Sequence, residues 1–236
     1  MSIIYEKSAN RKGLIFVKNP RTAGGSVKEF LVATARKNNI ESKINRMYSR
    51  GNLFKYENNI SVLNSGNYEI FSVIRNPWDR FVSILSYLAK LRQNKLNLEE
   101  LFFEDLFLDK DGKLRPELVR NLLDENMIDE NSKEYGCTPI HYFYHAISNQ
   151  CDSFLGIKSI QVIRYENLAE DLLKYTGYLG LNCNIENDLQ TNINCFGRKS
   201  MRPSCENEYR ECYTEESKAL ILNHYIRDIE AFGYSF

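Results

Sequence analysis

The chain has 236 residues, of which 43% are hydrophobic, with 31 basic and 31 acidic side chains, so its net charge is near zero. Such a composition suits one large folded core or two small ones, and it argues against a nucleic-acid binder, which usually carries a basic excess. No run approaches the ~18 consecutive apolar residues of a membrane span, and the opening MSIIYEKSANRKG is too briefly apolar and too early charged for a signal peptide, so the expectation is a cytoplasmic protein.

In chain order, GLIFVK at 13–18 reads as a short buried strand. Asn19 to Gly25 form a loop, and Ser26 is placed to cap a helix over about 27–37, where Val27, Phe30, Leu31 and Thr34 recur at helical spacing. Residues 38–67 are polar, Asn-rich and weakly patterned, mostly loop with room for a short strand or helix. EIFSVIR at 69–75 reads as a second buried strand, stopped by Pro77, which suits the first turn of a helix running to about residue 91. Trp78, Phe81, Val82, Leu85 and Leu88 make its apolar face.

Residues 98–108 form a further amphipathic segment, DKDG at 109–112 a turn, and 115–128 another helix. The aromatic-rich 139–150 reads as helical and IQVIR at 160–164 as a third strand. ENLAEDLLKYTGYLG predicts a helix ending near Gly177 or Gly180, and Thr214 caps a final helix carrying Leu220, Ile221, Tyr225 and Ile229. Strand, loop and helix alternate, which predicts an α/β fold with a mostly parallel central sheet flanked by helices, in one domain over 1–236. Six cysteines without a CxxC pair, and three poorly spaced histidines, predict free thiols and no metal site.

Two stretches carry chemistry. FVKNPRTAGGS places a loop at the carboxyl edge of a buried strand, where open α/β folds bind ligands. Gly24 and Gly25 permit a tight turn and leave N–H groups uncovered, Arg21 offers a fork of donors, Thr22 and Ser26 offer hydroxyls, and the helix N-terminus adds its own donors. Together these make a P-loop-like phosphate cradle, although the Walker pattern GxxxxGK[ST] is absent. VIRNPWDRFVS repeats the grammar of strand, Asn-Pro and helix, with Arg75 at the strand end and Ser83 eight residues later, two groups suited to one phosphate. The same residues also suit a local Arg75–Asp79 pair.

FVKNPRTAGGS resembles the 5'-phosphosulfate loop of the sulfotransferases, in the branch of Golgi-type carbohydrate sulfotransferases and their bacterial and viral relatives. VIRNPWDRFVS resembles that family's R-x-P-x-x-R-x-x-S motif for the 3'-phosphate, through Arg75, Pro77, Arg80 and Ser83. VIRYENLAEDL, YRECYTEES and YIRDIEAFGY resemble later segments of the same family. The resemblance implies the donor 3'-phosphoadenosine 5'-phosphosulfate, held by Lys18, Arg21, Thr22, Ala23, Gly24, Gly25, Ser26, Arg75 and Ser83. The late basic loop would add Ser200 and Arg202 near the 3'-phosphate or adenine. It implies sulfuryl transfer to a hydroxyl of an acceptor, a saccharide or a small molecule.

Arg21 stands where the family has a lysine on the leaving oxygen, so it is the expected catalytic cation, with Lys18 as a neighbour able to assist. For the general base, relatives place a histidine between the two motifs, whereas this chain offers Glu57 there and, later, His141 with His145 four residues on. His224 reads as structural or exposed. Two other readings are a phosphotransferase on the same general fold, which the missing Walker lysine disfavours, and a nucleotide-binding protein without transferase activity.

Overall fold

The computed structural model describes residues 2–5, 12–40, 42–45, 63–96, 107–123, 147–183 and 209–236. In chain order its elements are β1 (Ser2–Tyr5), β2 (Gly13–Val17), α1 (Gly24–Lys37), β3 (Ser42–Asn45), β4 (Tyr68–Ile74), α2 (Pro77–Leu96), α3 (Pro116–Leu123), β5 (Gln161–Arg164), α4 (Leu168–Tyr178), α5 (Glu215–His224) and α6 (Ile226–Phe232). They fall into two compact units, Met1–Arg75 with Asp152–Gly197, and Asn76–Cys151 with Arg198–Phe236. Each unit is assembled from two separated segments, so no composition shift along the chain marks the division.

The first unit holds a five-stranded sheet in the order β3-β1-β2-β4-β5. β2, β4 and β5 are parallel neighbours, and β1 runs antiparallel to both β2 and β3. The expected parallel sheet is therefore its three-stranded core, extended by β1 and β3. β1 was not anticipated: SIIY is a strand because Ile3 pairs with Phe16 and Ile4 with Ile15, a contact that local pattern does not encode.

Every residue of β2 is buried, as a strand covered on both faces requires. Leu14 and Phe16 point to one face with Phe71 and Val73, where α1 supplies Val27, Phe30, Leu31 and Ala35 and α4 supplies Leu168, Leu172 and Tyr175. Phe71 lies between Phe16, on which it stacks, and the tilted ring of Tyr175, at ring-centroid distances of 4.9 Å to each. Ile15, Val17 and Ile70 face the other way, against Leu63. This period-two division fixes the register, because a one-residue slip would exchange the two faces.

In the second unit, Pro77 opens α2 as expected, with the Asn76 side-chain oxygen accepting the Trp78 N–H at 3.1 Å. Trp78, Phe81, Val82 and Leu85 join Phe107, Leu114, Val119, Ile221 and Tyr225 in one core. The DKDG turn forms, with Asp109 Oδ1 accepting from the N–H groups of Asp111 and Lys113. Thr214 caps α5 reciprocally with Ser217. The expected single final helix breaks at Tyr225, whose φ of −104° and ψ of 22° leave the helical region, and α6 starts after it. Cys151, Cys183 and Cys212 are free thiols, as expected, and among the described residues no helix is long and apolar enough to cross a membrane.

Beyond that break, Asp228 is fully buried and accepts from the backbone N–H groups of Gln150 at 2.7 Å and Cys151 at 2.9 Å. Arg80, also buried, lies 4.0 Å from the same carboxylate, donates to the Ser148 carbonyl at 3.0 Å, and sits 5.7 Å from the Tyr225 ring centre. This guanidinium is bound into the core of the second unit. Deleting one member of such a pair strands the other charge in a dry interior. Asp228→Ala is therefore expected to lower unfolding free energy by about 3–5 kcal/mol, measured by urea denaturation; a loss under ~1 kcal/mol, the scale of an exposed pair, would contradict the burial argument.

Candidate functional site

The three parallel strands of the first unit end at one sheet edge, and the residues after each strand meet there. Ser72 of β4 donates through its hydroxyl to the Val17 carbonyl at 2.6 Å, joining the ends of β2 and β4. Asn19, fully buried just beyond β2, donates from Nδ2 to the Val73 carbonyl at 3.2 Å. Thr22, also fully buried, donates to the Asn19 carbonyl at 3.1 Å and closes the loop on itself. The Thr22 hydroxyl proton thus serves the loop, leaving only its lone pairs toward anything bound.

The loop turns into α1 through left-handed conformations at Arg21 (φ 62°) and Ala23 (φ 59°). Neither is glycine, and each costs roughly 1–2 kcal/mol on that account. The turn is therefore made before Gly24 and Gly25, which already lie in the helix. Ala23 is the N-cap and supplies no side-chain bond, while its carbonyl accepts the Val27 N–H at 3.0 Å. This corrects the expected Ser26 cap: the two left-handed residues start the helix early, so Ser26 is its third residue, buried. With no capping side chain, the N–H groups of Gly24, Gly25 and Ser26 have no intrahelical acceptor.

Gly24 has a different role from the one its type suggests. A Cβ there would stand 2.5 Å from Lys18 Cγ and 2.6 Å from Lys18 Cε. The Lys18 stem thus lies across the first residue of α1, in space that only glycine leaves open. Its ammonium, one bond beyond Cε, has no hydrogen bond or ion pair among the described residues. Burial, then the charges of Lys28 and Arg21, push its pKa below the ordinary 10.5. The first turn of α1 contains no acidic residue, although a helix N-terminus favours negative charge. The Lys18 cation and N–H groups without an intrahelical acceptor therefore lie together at the start of α1.

Arg75, the first residue past β4, is buried at 3% exposure. Ile74 pairs with Arg164, so the next residues along, Arg75 and Tyr165, fall side by side, and the guanidinium carbon lies 4.1 Å from the Tyr165 ring centre. Arg75 Nη1 donates to the Arg21 carbonyl at 3.2 Å. One side chain thus ties the end of β4 to the left-handed corner of the loop and rests on the residue after β5.

The structure thereby brings together Lys18, Arg21, Thr22, Ala23, Gly24, Gly25, Ser26 and Arg75 within the first unit. Ser83 is buried on α2, in the second unit. Glu57, His141, His145, Ser200 and Arg202 lie outside the described residues. His224 is structural: its Nε2 is 3.0 Å from the Ile147 carbonyl. Sequence reasoning missed Tyr165 and Asn19. Tyr165 follows IQVIR directly, and pairing the ends of the second and third strands would have aligned it with Arg75. Asn19 gave the signal of a repeated Asn-Pro. No protein-family model matches the chain, and no curated protein is significantly similar to it.

A lysine whose folded pKa lies below its unfolded value costs stability while both states are protonated. That cost disappears as pH rises through the interval up to 10.5. Lys18→Met keeps an unbranched stem and removes the charge. It is expected to raise the melting temperature of the ligand-free protein at neutral pH, with the difference from wild type shrinking as pH approaches 10.5. A difference that stays constant over this range in thermal melts would contradict the electrostatic account of Lys18.

Proposed function

We propose that the chain is a sulfotransferase that moves the sulfuryl group of 3'-phosphoadenosine 5'-phosphosulfate onto a hydroxyl of an acceptor, a saccharide or a small molecule. The observation that carries this reading is the cationic start of α1, free of acidic residues in its first turn, with Lys18 laid over Gly24 and N–H groups that have no intrahelical acceptor beside it. It falls in the very stretch, FVKNPRTAGGS, that resembles a 5'-phosphosulfate loop.

The reaction makes demands this loop suits. As the acceptor oxygen bonds to sulfur, the bond from sulfur to the 5'-phosphate oxygen breaks and its electron pair stays on that oxygen. Donors fixed beside the oxygen stabilise the charge without reorganising. The loop amides and a cation of the loop, Arg21 or Lys18, fill that role in this reading. The 3'-phosphate is a handle remote from the reaction, and holding it fixes orientation. Arg75 is the side chain assigned to it, with a guanidinium able to offer five N–H donors and already braced by Tyr165. Ser83 joins it on the strength of the R-x-P-x-x-R-x-x-S motif alone. Glu57 and His141 remain the candidates for the base that receives the acceptor proton.

Arg21 in the usual lysine position favours a second reading, a nucleotide-binding protein without transfer. Calorimetric titration with 3'-phosphoadenosine 5'-phosphate and with ATP tests the binding common to both readings; tight binding of the first and none of ATP is expected, and preference for ATP would point to a phosphotransferase instead. Sulfuryl transfer to a panel of hydroxyl acceptors then separates the two. Arg75→Ala is expected to weaken 3'-phosphoadenosine 5'-phosphate by about 1.5–3 kcal/mol, the range of a hydrogen bond to a charged group, and to weaken a nucleotide without the 3'-phosphate by clearly less, the common part coming from the lost bond to the Arg21 carbonyl. Equal weakening of both would remove Arg75 from the 3'-phosphate.

A further inference from the structure

Lys18 lies three residues before the position where the resembled family keeps its lysine, yet the fold returns its stem to the first residue of α1. We propose that Lys18, rather than Arg21, is the cation on the leaving 5'-phosphate oxygen, and that residue 24 must be glycine so that the Lys18 stem can cross the helix start to reach it. This rests on the sulfotransferase reading.

Three observations converge. The lysine stem runs within 2.8 Å of the missing Gly24 Cβ at three successive points, Cγ, Cδ and Cε, so its path is defined along its length. Its ammonium has no partner among the described residues, while Lys28 and Arg21 act on it only by repulsion. The carboxamide oxygen of Asn19, in the same loop and fully buried, also lacks a hydrogen-bond partner, so the loop carries unmet polar groups of both kinds. Arg21, in contrast, spends its carbonyl on Arg75 and holds the left-handed corner, which gives its backbone a fixed structural task.

The two cations also differ chemically. Lysine is a compact point charge able to follow a single oxygen as charge grows there, whereas the planar guanidinium fork matches two oxygens at once. In the step itself the acceptor oxygen forms the new bond to sulfur, the old sulfur–oxygen bond breaks toward the 5'-phosphate, and the acceptor proton leaves to a base. Lys18 donates a hydrogen bond to the departing oxygen and keeps its proton. Arg21 then holds non-bridging oxygens in both donor and product.

Single-turnover transfer at saturating donor, with binding of 3'-phosphoadenosine 5'-phosphate measured in parallel, tests this. Lys18→Met is expected to slow transfer about 100- to 1,000-fold, the loss typical for one oxyanion-type donor, and to weaken the desulfated product more than the intact donor, because the charge Lys18 meets is fully present only after the bond has broken. Arg21→Ala is expected to weaken donor and product alike with a smaller loss of rate. Gly24→Ala, which leaves every polar side chain in place, is expected to slow transfer in wild type and to add little in a Lys18→Ala background, where no stem remains to be displaced. Transfer unchanged in Lys18→Met but lost in Arg21→Ala would overturn the assignment and restore Arg21. A wild-type protein that fails to bind the nucleotide would instead overturn the sulfotransferase reading itself, whatever the variants do.

Discussion

A lysine laid across the first residue of α1, with no hydrogen-bond or ion-pair partner among the described residues, is the feature on which the reading of the first unit depends. Lys18 lies over Gly24, its neighbours Lys28 and Arg21 repel it, and the helix opens with neither an acidic residue nor a capping side chain. Each feature alone is mildly unfavourable for a ligand-free protein. Helices ordinarily begin with a capping oxygen or a carboxylate because their first N–H groups need acceptors. A chain that omits both and brings a lysine there offers an anion partners at that point, which is what the proposed function draws on.

Holding that arrangement falls to the sheet. β2 and β4 are buried strands in parallel register, and Ser72 and Asn19 fasten their ends through bonds to backbone carbonyls. Arg75 extends the fastening by bonding the Arg21 carbonyl and resting on Tyr165. The left-handed residues Arg21 and Ala23 persist because bonds on both sides determine the path of the loop. Cost at the loop is offset in the core below it, where Phe71 stacks on Phe16 and meets the tilted ring of Tyr175 from α4, with α1 packed over the same face. In the second unit a buried charge has the opposite fate. Arg80 is met by Asp228 and a carbonyl and is thereby committed to structure.

Much of this was legible in the sequence. GLIFV, YEIFSVI and QVIR are apolar runs that pattern alone marks as strands, and Pro77 and Thr214 mark helix starts through local chemistry. What escaped depends on contacts distant in sequence. SIIY becomes β1 only by pairing with β2. Tyr225 breaks the last helix in a segment whose hydrophobic spacing runs on unbroken. Gly24 and Gly25 suggested backbone freedom, but the left-handed turns fall on Arg21 and Ala23, and Gly24 instead makes room for a side chain six residues earlier. Strand alternation beyond Val17 gave no direction for Lys18, since the strand ends there and the loop resets the path. Arg80 fitted a ligand motif by spacing, and only the fold reveals the buried carboxylate that claims it.

A crystal structure of the protein with 3'-phosphoadenosine 5'-phosphate bound measures the central claim most directly. The account predicts the 5'-phosphate on the amides of Gly24, Gly25 and Ser26, with Lys18 Nζ at a charge-assisted hydrogen-bond distance of about 2.7–2.9 Å from one of its oxygens, the stem still crossing Gly24, and Arg75 on the 3'-phosphate. A nucleotide seated away from the start of α1, or one seated there with Lys18 turned to solvent, would contradict it.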